Sequence, residues 1–347
     1  MAETFVGAGT PFSWPIPLAP TPRDVVATFG GSKLYRFRSE NKGIPLLVVP
    51  SMINRWYVVD LREGASLCSA LVRGGLDVWC LDWGVPEDED RHLAWDDVVR
   101  RLEHAASRVL RETGAPKASV LGYCMGGTLS AIATALRPER SAALVNLAGP
   151  IDFSRGGLLA ELVAPQHFNS EAVAAAGNIA PMQMQSGFWA LRPTGQIAKW
   201  FGLADRGNDP AFREAFNALE TWASDNVPFP AAAYVTYIKE LYQENRLVTA
   251  NHAVRGKRVD LGAITCPVLT IVADKDTICP PDAALALNAL ASSKVKEVVT
   301  VPGGHVGAVV GSKAEKTLYP KIVDFLRRQT ADRRSDVGPQ RTTERSE

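Results

Sequence analysis

A mostly parallel, doubly wound α/β sheet with an inserted cap region is the fold this chain predicts, and three observations carry the prediction. Short apolar runs alternate with stripes of apolar residues at helical spacing. A glycine-flanked turn, Gly122-Tyr-Cys-Met-Gly126, sits between one such run and the next stripe. Two later Val/Ile-rich runs end in an aspartate loop and then in a Gly-Gly-His loop.

The elements follow in order. Met1 to Pro22 is proline-rich and lacks a basic stretch leading into an apolar run, so no signal peptide is expected, and residues 1–25 are read as a segment apart from the core. Residues 33–37 alternate and read as a strand. Residues 44–49 form a continuous apolar run, as a strand buried on both faces does. Residues 66–73 read as a short helix stopped by Gly74, and 76–81 as the next strand. In residues 96–112, Val98, Val99, Leu102, Ala105 and Val109 fall on one helical stripe, with Gly114 as the stop. A strand at 118–120, a helix at 129–136 and strands at 142–147, 266–273 and 295–301 complete the alternation. Residues 26–150 and 251–328 are thus expected to form the core, with right-handed crossovers. Residues 151–250 break the rhythm and hold many of the aromatics, among them Phe153, Phe168, Phe229, Tyr234, Tyr237 and Tyr242. They are expected to form a cap whose aromatics fill its own core or line a channel. Residues 329–347 are polar and charged and read as a disordered tail.

Strand, sharp turn and helix make the setting of a nucleophile elbow, with Cys124 in the nucleophile position. Its neighbours Gly122 and Gly126 are small, as a strained strand-to-helix turn requires. The following helix points free N–H groups at the thiol, which favours the reactive thiolate. The Met125 N–H is placed to donate to an oxyanion, and the N–H of Met52 or Ile53, after the 44–49 strand, is the candidate second donor. The order nucleophile, acid, histidine is that of an α/β-hydrolase triad, with His305 as base and Asp276 as its orienting partner. Asp274 is the rival acid. A thiol nucleophile suggests chemistry on thioesters.

Further stretches surround these residues: Pro50–Leu61 reads P-x-x-I-N-x-x-Y-x-x-D-L, and Gly75–Gly84 reads G-x-D-V-x-x-x-D-W-G. Val120–Thr128, Val259–Gly262, Lys275–Pro280 and Gly303–Gly307 follow in the same order. On these residues the chain resembles the polyhydroxyalkanoate synthases, which polymerise 3-hydroxyacyl-CoA thioesters. The resemblance covers roughly residues 25 to 325. It implies that Cys124 is the acylated nucleophile, Asp276 the carboxylate and His305 the base. It implies 3-hydroxyacyl-CoA as substrate, no cofactor besides that CoA thioester, and a growing polyester chain or granule surface as partner. A homodimer or a second synthase subunit is implied too, as is a cytoplasmic, granule-associated location. Trp222 lies in a segment similar to the synthase cap near the active site, and Asn54 and Tyr123 are expected beside the substrate. The family often has His after the triad Asp, where this chain has Thr277, and the length is nearer that of the short catalytic subunits. The same scaffold also suits a cysteine hydrolase, such as an intracellular polyester depolymerase or acyl thioesterase, or a non-catalytic granule protein.

Composition narrows the classes. A net charge of +1 over 347 residues gives no reason to expect nucleic-acid binding. Five cysteines without disulfide-like spacing suit a reducing compartment, and no C-x-x-C or His/Cys cluster suggests a metal. Cys68, Cys80, Cys266 and Cys279 are expected to be buried structural residues. His92, His104, His167 and His252 are expected in surface or hydrogen-bonded structural roles, and Asp82-Trp83 in a structural turn. No apolar stretch is long enough to span a bilayer.

Overall fold

The structure is a computed structural model that describes residues 4–5, 16–39, 43–191 and 193–336. Its centre is an eight-stranded sheet of β1 (Arg23–Phe29), β2 (Ser32–Phe37), β3 (Pro45–Val49), β4 (Asp77–Asp82), β5 (Ala118–Tyr123), β6 (Ser141–Leu147), β7 (Val268–Ala273) and β8 (Lys296–Val301). The strand order is β1-β2-β4-β3-β5-β6-β7-β8. β2 pairs antiparallel with β1 and β4, and the remaining pairs are parallel. The chain is therefore an α/β-hydrolase-type fold, as its apolar rhythm predicts.

Period-two alternation divides the core. Leu47 and Val49 of β3 pack on one face, against α2 (Trp95–Thr113) and α3 (Met125–Leu136). Leu46 and Val48 pack on the other, against α1 (Leu67–Arg73) and α13 (Tyr319–Asp336). Every residue of β3, β6 and β7 is buried, which is why β3 is an unbroken apolar run and the other two are interrupted only by Ser141, Asn146 and Thr270. In α2 the predicted stripe faces inward. The Asp97 carboxylate accepts the Ala94 N–H at 3.1 Å at its start, and Gly114 ends it at φ 65°. At the end of β4, the Asp82 carboxylate accepts from Gly84 N–H (2.9 Å) and Tyr35 O–H (3.1 Å), the structural turn expected of it.

Between β6 and β7 lies a helical insertion, with α4 (Leu158–Leu162), α5 (Ser170–Ala174), α6 (Pro181–Leu191), α7 (Pro193–Arg206), α8 (Pro210–Ser224) and α9 (Ala231–Thr236). α9 runs on as a π-helical turn, Tyr237–Gln243. α10 (Pro281–Leu290) joins β7 to β8, and α11 (Gly307–Val310) and α12 (Ala314–Thr317) follow β8.

Three expectations need correction. β1 was not anticipated and begins inside the segment 1–25. It is an edge strand with no fully buried residue, so it lacks the apolar run that marks its neighbours. The helix after the turn starts at Met125 and not at Leu129, because glycines in a first turn obscure a stripe. The polar tail expected from Gln329 is helical to Asp336, since no Gly or Pro interrupts the chain between Pro320 and Gly338. Residues 1–3 and 6–15 of the proline-rich segment, and 337–347 of the tail, lie outside the described residues.

Candidate active site

Three parallel strands, β5, β7 and β8, end on one edge of the sheet, and each end carries one reactive side chain. Cys124 follows β5 at φ 57°, ψ −131°, a region that side-chain-bearing residues rarely occupy. Its backbone is pinned by Cys124 N–H to Leu147 O (3.0 Å) and Gly127 N–H to Cys124 O (2.8 Å). The flanking glycines are required by close approach. A Cβ on Gly122 would lie 2.2 Å from Gly126 O, and one on Gly126 would lie 1.9 Å from Val49 O.

Asp276 lies in the loop after β7. Its Oδ1 accepts the N–H groups of Ile278 and Cys279, both at 2.9 Å, which fixes the carboxylate and leaves Oδ2 to face His305 Nδ1 at 2.6 Å. The rival Asp274 is turned elsewhere. It is exposed, and its Oδ1 accepts the Gly303 N–H at 2.7 Å, tying down the histidine loop. The Tyr123 ring stacks on the imidazole at 5.3 Å, and Tyr123 O–H donates to His305 O at 3.3 Å. Asp276 and His305 are both buried. Burial disfavours the charged ring, but the Cys124 sulfur and the Asp276 carboxylate outweigh it, and His305 is pushed up to about 10. His305 Nε2, buried and without a conventional hydrogen-bond partner, is the ring atom left for that thiol.

The segment after β3 runs beside this centre. Trp83 Nε1–H donates to Pro50 O at 2.9 Å, and the first turn of α3 packs on Val49 O and Pro50 O. Met52 and Ile53 are buried there, with Ile53 N–H 3.5 Å from Ser51 Oγ. Met125 is the first residue of α3 and is also buried.

Two cavities meet at Cys124, and Phe188 and Ile278 line both. One, of about 370 Å³, is lined mostly by apolar groups that include Leu159, Phe168, Tyr237 and Tyr242, with Gln183 and Ser186 among them, and among the described residues no charged side chain lines it. The other, of about 460 Å³, holds His305, Tyr123, Asn54, Trp222 and the Lys199–Glu220 ion pair (2.6 Å). Asn54 and Trp222, expected near the substrate, thus lie on the histidine side. Both also tie the insertion to the core. Asn54 Nδ2–H donates to Asn226 Oδ1 (2.7 Å), Asn226 Nδ2–H donates to Gln185 Oε1 (2.7 Å), and Trp222 Nε1–H donates to Arg55 O (3.0 Å). Beside them, Tyr57 O–H donates to Asp225 Oδ2 at 2.7 Å, and burial together with that carboxylate pushes the phenol up.

Asn226, Gln185 and Asp225 were not anticipated, since single polar residues on separate elements leave no local pattern. Cys279 is buried as expected, but it also lines the apolar cavity, and burial pushes its thiol up. Tyr237 and Tyr242 do both things foreseen for the aromatics: they pack on Phe153 in T-shaped contacts and they line a cavity. The π-helical turn that carries them is a geometry often found at functional sites. Away from the site, His252 Nδ1 lies 2.9 Å from Glu240 Oε2, a structural pairing, and burial holds the ring below its usual value.

A family model described as the alpha/beta hydrolase fold matches residues 45–312. The poly(3-hydroxyalkanoate) polymerase subunit PhaC of Allochromatium vinosum is 34% identical over 315 residues, 88% of each chain. The PhaC subunit of Synechocystis is 33% identical, over 88% of this chain and 84% of its own. That of Haloferax mediterranei is 32% identical, over 93% of this chain and 67% of its own. Among solved structures, a hydrolase from Pseudomonas aeruginosa superposes with a TM-score of 0.55 at 15% identity, covering 88% of this chain and 98% of its own. The monoacylglycerol lipase of Paleococcus ferrophilus gives 0.52 at 16%, covering 85% and 99%. These two likenesses speak to the fold alone. No helix among the described residues is long and apolar enough to cross a membrane.

Proposed function

Given that the chain belongs to the alpha/beta hydrolase fold family and, within it, to the poly(3-hydroxyalkanoate) polymerase PhaC family, we propose that it polymerises 3-hydroxyacyl-CoA through an acyl-cysteine at Cys124. The observation that carries the reading is the buried 2.6 Å contact of Asp276 with His305, whose free Nε2 is left to the elbow thiol.

In this mechanism His305 Nε2 takes the Cys124 proton and the sulfur attacks the thioester carbonyl. The oxyanion is held by the Met125 N–H and by the N–H of Met52 or Ile53. The carbon–sulfur bond to CoA breaks, and the imidazolium protonates the departing CoA thiolate. His305 then removes the proton of a 3-hydroxyl group, that oxygen attacks the acyl-cysteine, and the ester forms as the Cys124 thiolate leaves and is reprotonated. Exchange of one thioester for another is nearly isoenergetic, so the acyl group stays activated between bonds. The insertion, residues 151–250, acts as a cap that excludes water from the acyl-cysteine. The growing polyester or its granule surface, and a second copy or second synthase subunit, are the partners of this reading; the relatives' own names call them subunits.

The test is direct. The chain, alone and then with candidate partner subunits, is given 3-hydroxybutyryl-CoA. CoA release with polymer supports the reading, whereas release with free hydroxy acid makes the protein a hydrolase. Cys124→Ala is expected to abolish CoA release, and unchanged release would falsify the assignment of the nucleophile.

A further inference from the structure

We propose that Gly187 is a specificity-determining residue: it keeps the apolar cavity open for the side chains of 3-hydroxyacyl groups longer than the four-carbon one. The proposal rests on the polymerase reading and adds the class of substrate.

Gly187 stands in the body of α6 and lines the apolar cavity. Glycine is the poorest helix former after proline, so its presence there calls for a reason. The two usual reasons fail. Its φ is not positive, and a Cβ built on it meets no heavy atom within 4 Å, so neither backbone freedom nor close packing demands glycine. What an added side chain would do is fill space in the apolar cavity, whose wall Cys124 shares. The same helix contributes Ser186 and Ala190 to the wall, also small.

The size of that space points to the substrate. The 3-substituent of a 3-hydroxybutyryl group is one methyl. A cavity of about 370 Å³ has room for about a dozen water-sized groups at about 30 Å³ each. Among the described residues its lining carries no charge and is mostly apolar, so hydrocarbon fills it more favourably than water does. His305 lines only the other cavity. The groups that exchange protons with it, the CoA sulfur and the incoming 3-hydroxyl, therefore belong on that side, and the apolar side is left for the alkyl chain. Each methylene buried there is expected to raise kcat/KM roughly three- to fourfold.

The experiment compares kcat/KM for CoA release from 3-hydroxybutyryl-CoA and 3-hydroxyoctanoyl-CoA in the unmodified chain, Gly187→Leu, Gly187→Ala and Gly202→Leu. Gly202 is also in a helix and meets open space, but it lines neither cavity. The unmodified chain is expected to prefer the eight-carbon substrate by about a hundredfold, since the effect of four added methylenes compounds. Gly187→Leu should lower that preference about tenfold, Gly187→Ala should lower it less, and Gly202→Leu should leave it in place. A preference for four carbons, or an equal change in both leucine variants, overturns the proposal. The same proteins are also given p-nitrophenyl butyrate and octanoate, which probe the pocket without CoA or a 3-hydroxyl. A chain-length preference there, lost in Gly187→Leu but without CoA release, sinks the polymerase reading and keeps the pocket. No preference in either series sinks the pocket.

Discussion

At the scale of single residues, Asp276 and Asp274 separate by what holds them. Asp276 Oδ1 is held by two N–H groups so that Oδ2 meets the imidazole, while Asp274 holds a backbone N–H of the loop. Asp276→Asn is expected to lower kcat by about 10³- to 10⁴-fold, because the amide presents the wrong hydrogen-bonding partner to the ring. Asp274→Asn should cost less than about tenfold, and a larger loss there would exchange their roles. His305 also links the site to stability. Burial works against its charge, but Cys124 and Asp276 raise it from 6.5 to about 10. Between those values the folded state binds more protons than the unfolded one. This contribution is therefore fully present below about pH 6.5 and is lost as pH rises through about 10. The slope approaches about 1.4 kcal/mol per pH unit. Denaturant unfolding at stepped pH should give a shallower slope in Cys124→Ala, and equal slopes would remove Cys124 as a cause. The three residues of the proposed triad could be named from the sequence because each sits in a turn or loop with its own chemical signature, although that signature left Asp274 open beside Asp276. The partners Asn226 and Gln185 could not be, since an amide pair on separate elements has none.

At the scale of elements, the junction of β5 and α3 tolerates no added atom. Gly126→Ala would drive a methyl into Val49 O at 1.9 Å, where the neighbour is backbone and cannot rotate away. A loss of about 2–4 kcal/mol is expected, read as a lowered unfolding midpoint. Gly114→Ala, at a left-handed helix end with open space around it, should cost only about 1 kcal/mol. Equal losses would mean that the elbow relaxes more easily than its contacts imply. The same contrast explains which elements could be read in advance. β3, β6 and β7 are buried on both faces and so are almost wholly apolar, with Ser141, Asn146 and Thr270 their polar members, whereas β1 alternates weakly at an edge. The insertion's helices were legible only as a break in rhythm, because their apolar residues face cavities and solvent as well as one another. Trp200 and Phe201, for example, are exposed.

At the scale of the whole molecule, the insertion and the core meet through a short series of polar links, and the central one is Asn226. It accepts from Asn54, in the segment that carries the second oxyanion donor of the proposed mechanism, and donates to Gln185 on α6. The partners lie 172 and 41 residues away in sequence, so no pattern along the chain announces them. Asn226→Ala removes both links and should loosen both elements. Amide exchange should quicken in α6 and in residues 51–55, and kcat should fall by about tenfold, less than the full loss of an oxyanion donor. Asn226→Asp separates the two effects. Its carboxylate still accepts from Asn54 but cannot donate to Gln185, so exchange should quicken in α6 alone while kcat stays closer to that of the unmodified chain. If the two variants lose kcat equally, the link to α6 governs catalysis. If neither changes exchange in either element, the insertion is held by its apolar contacts, and the amide series merely decorates the cavity wall.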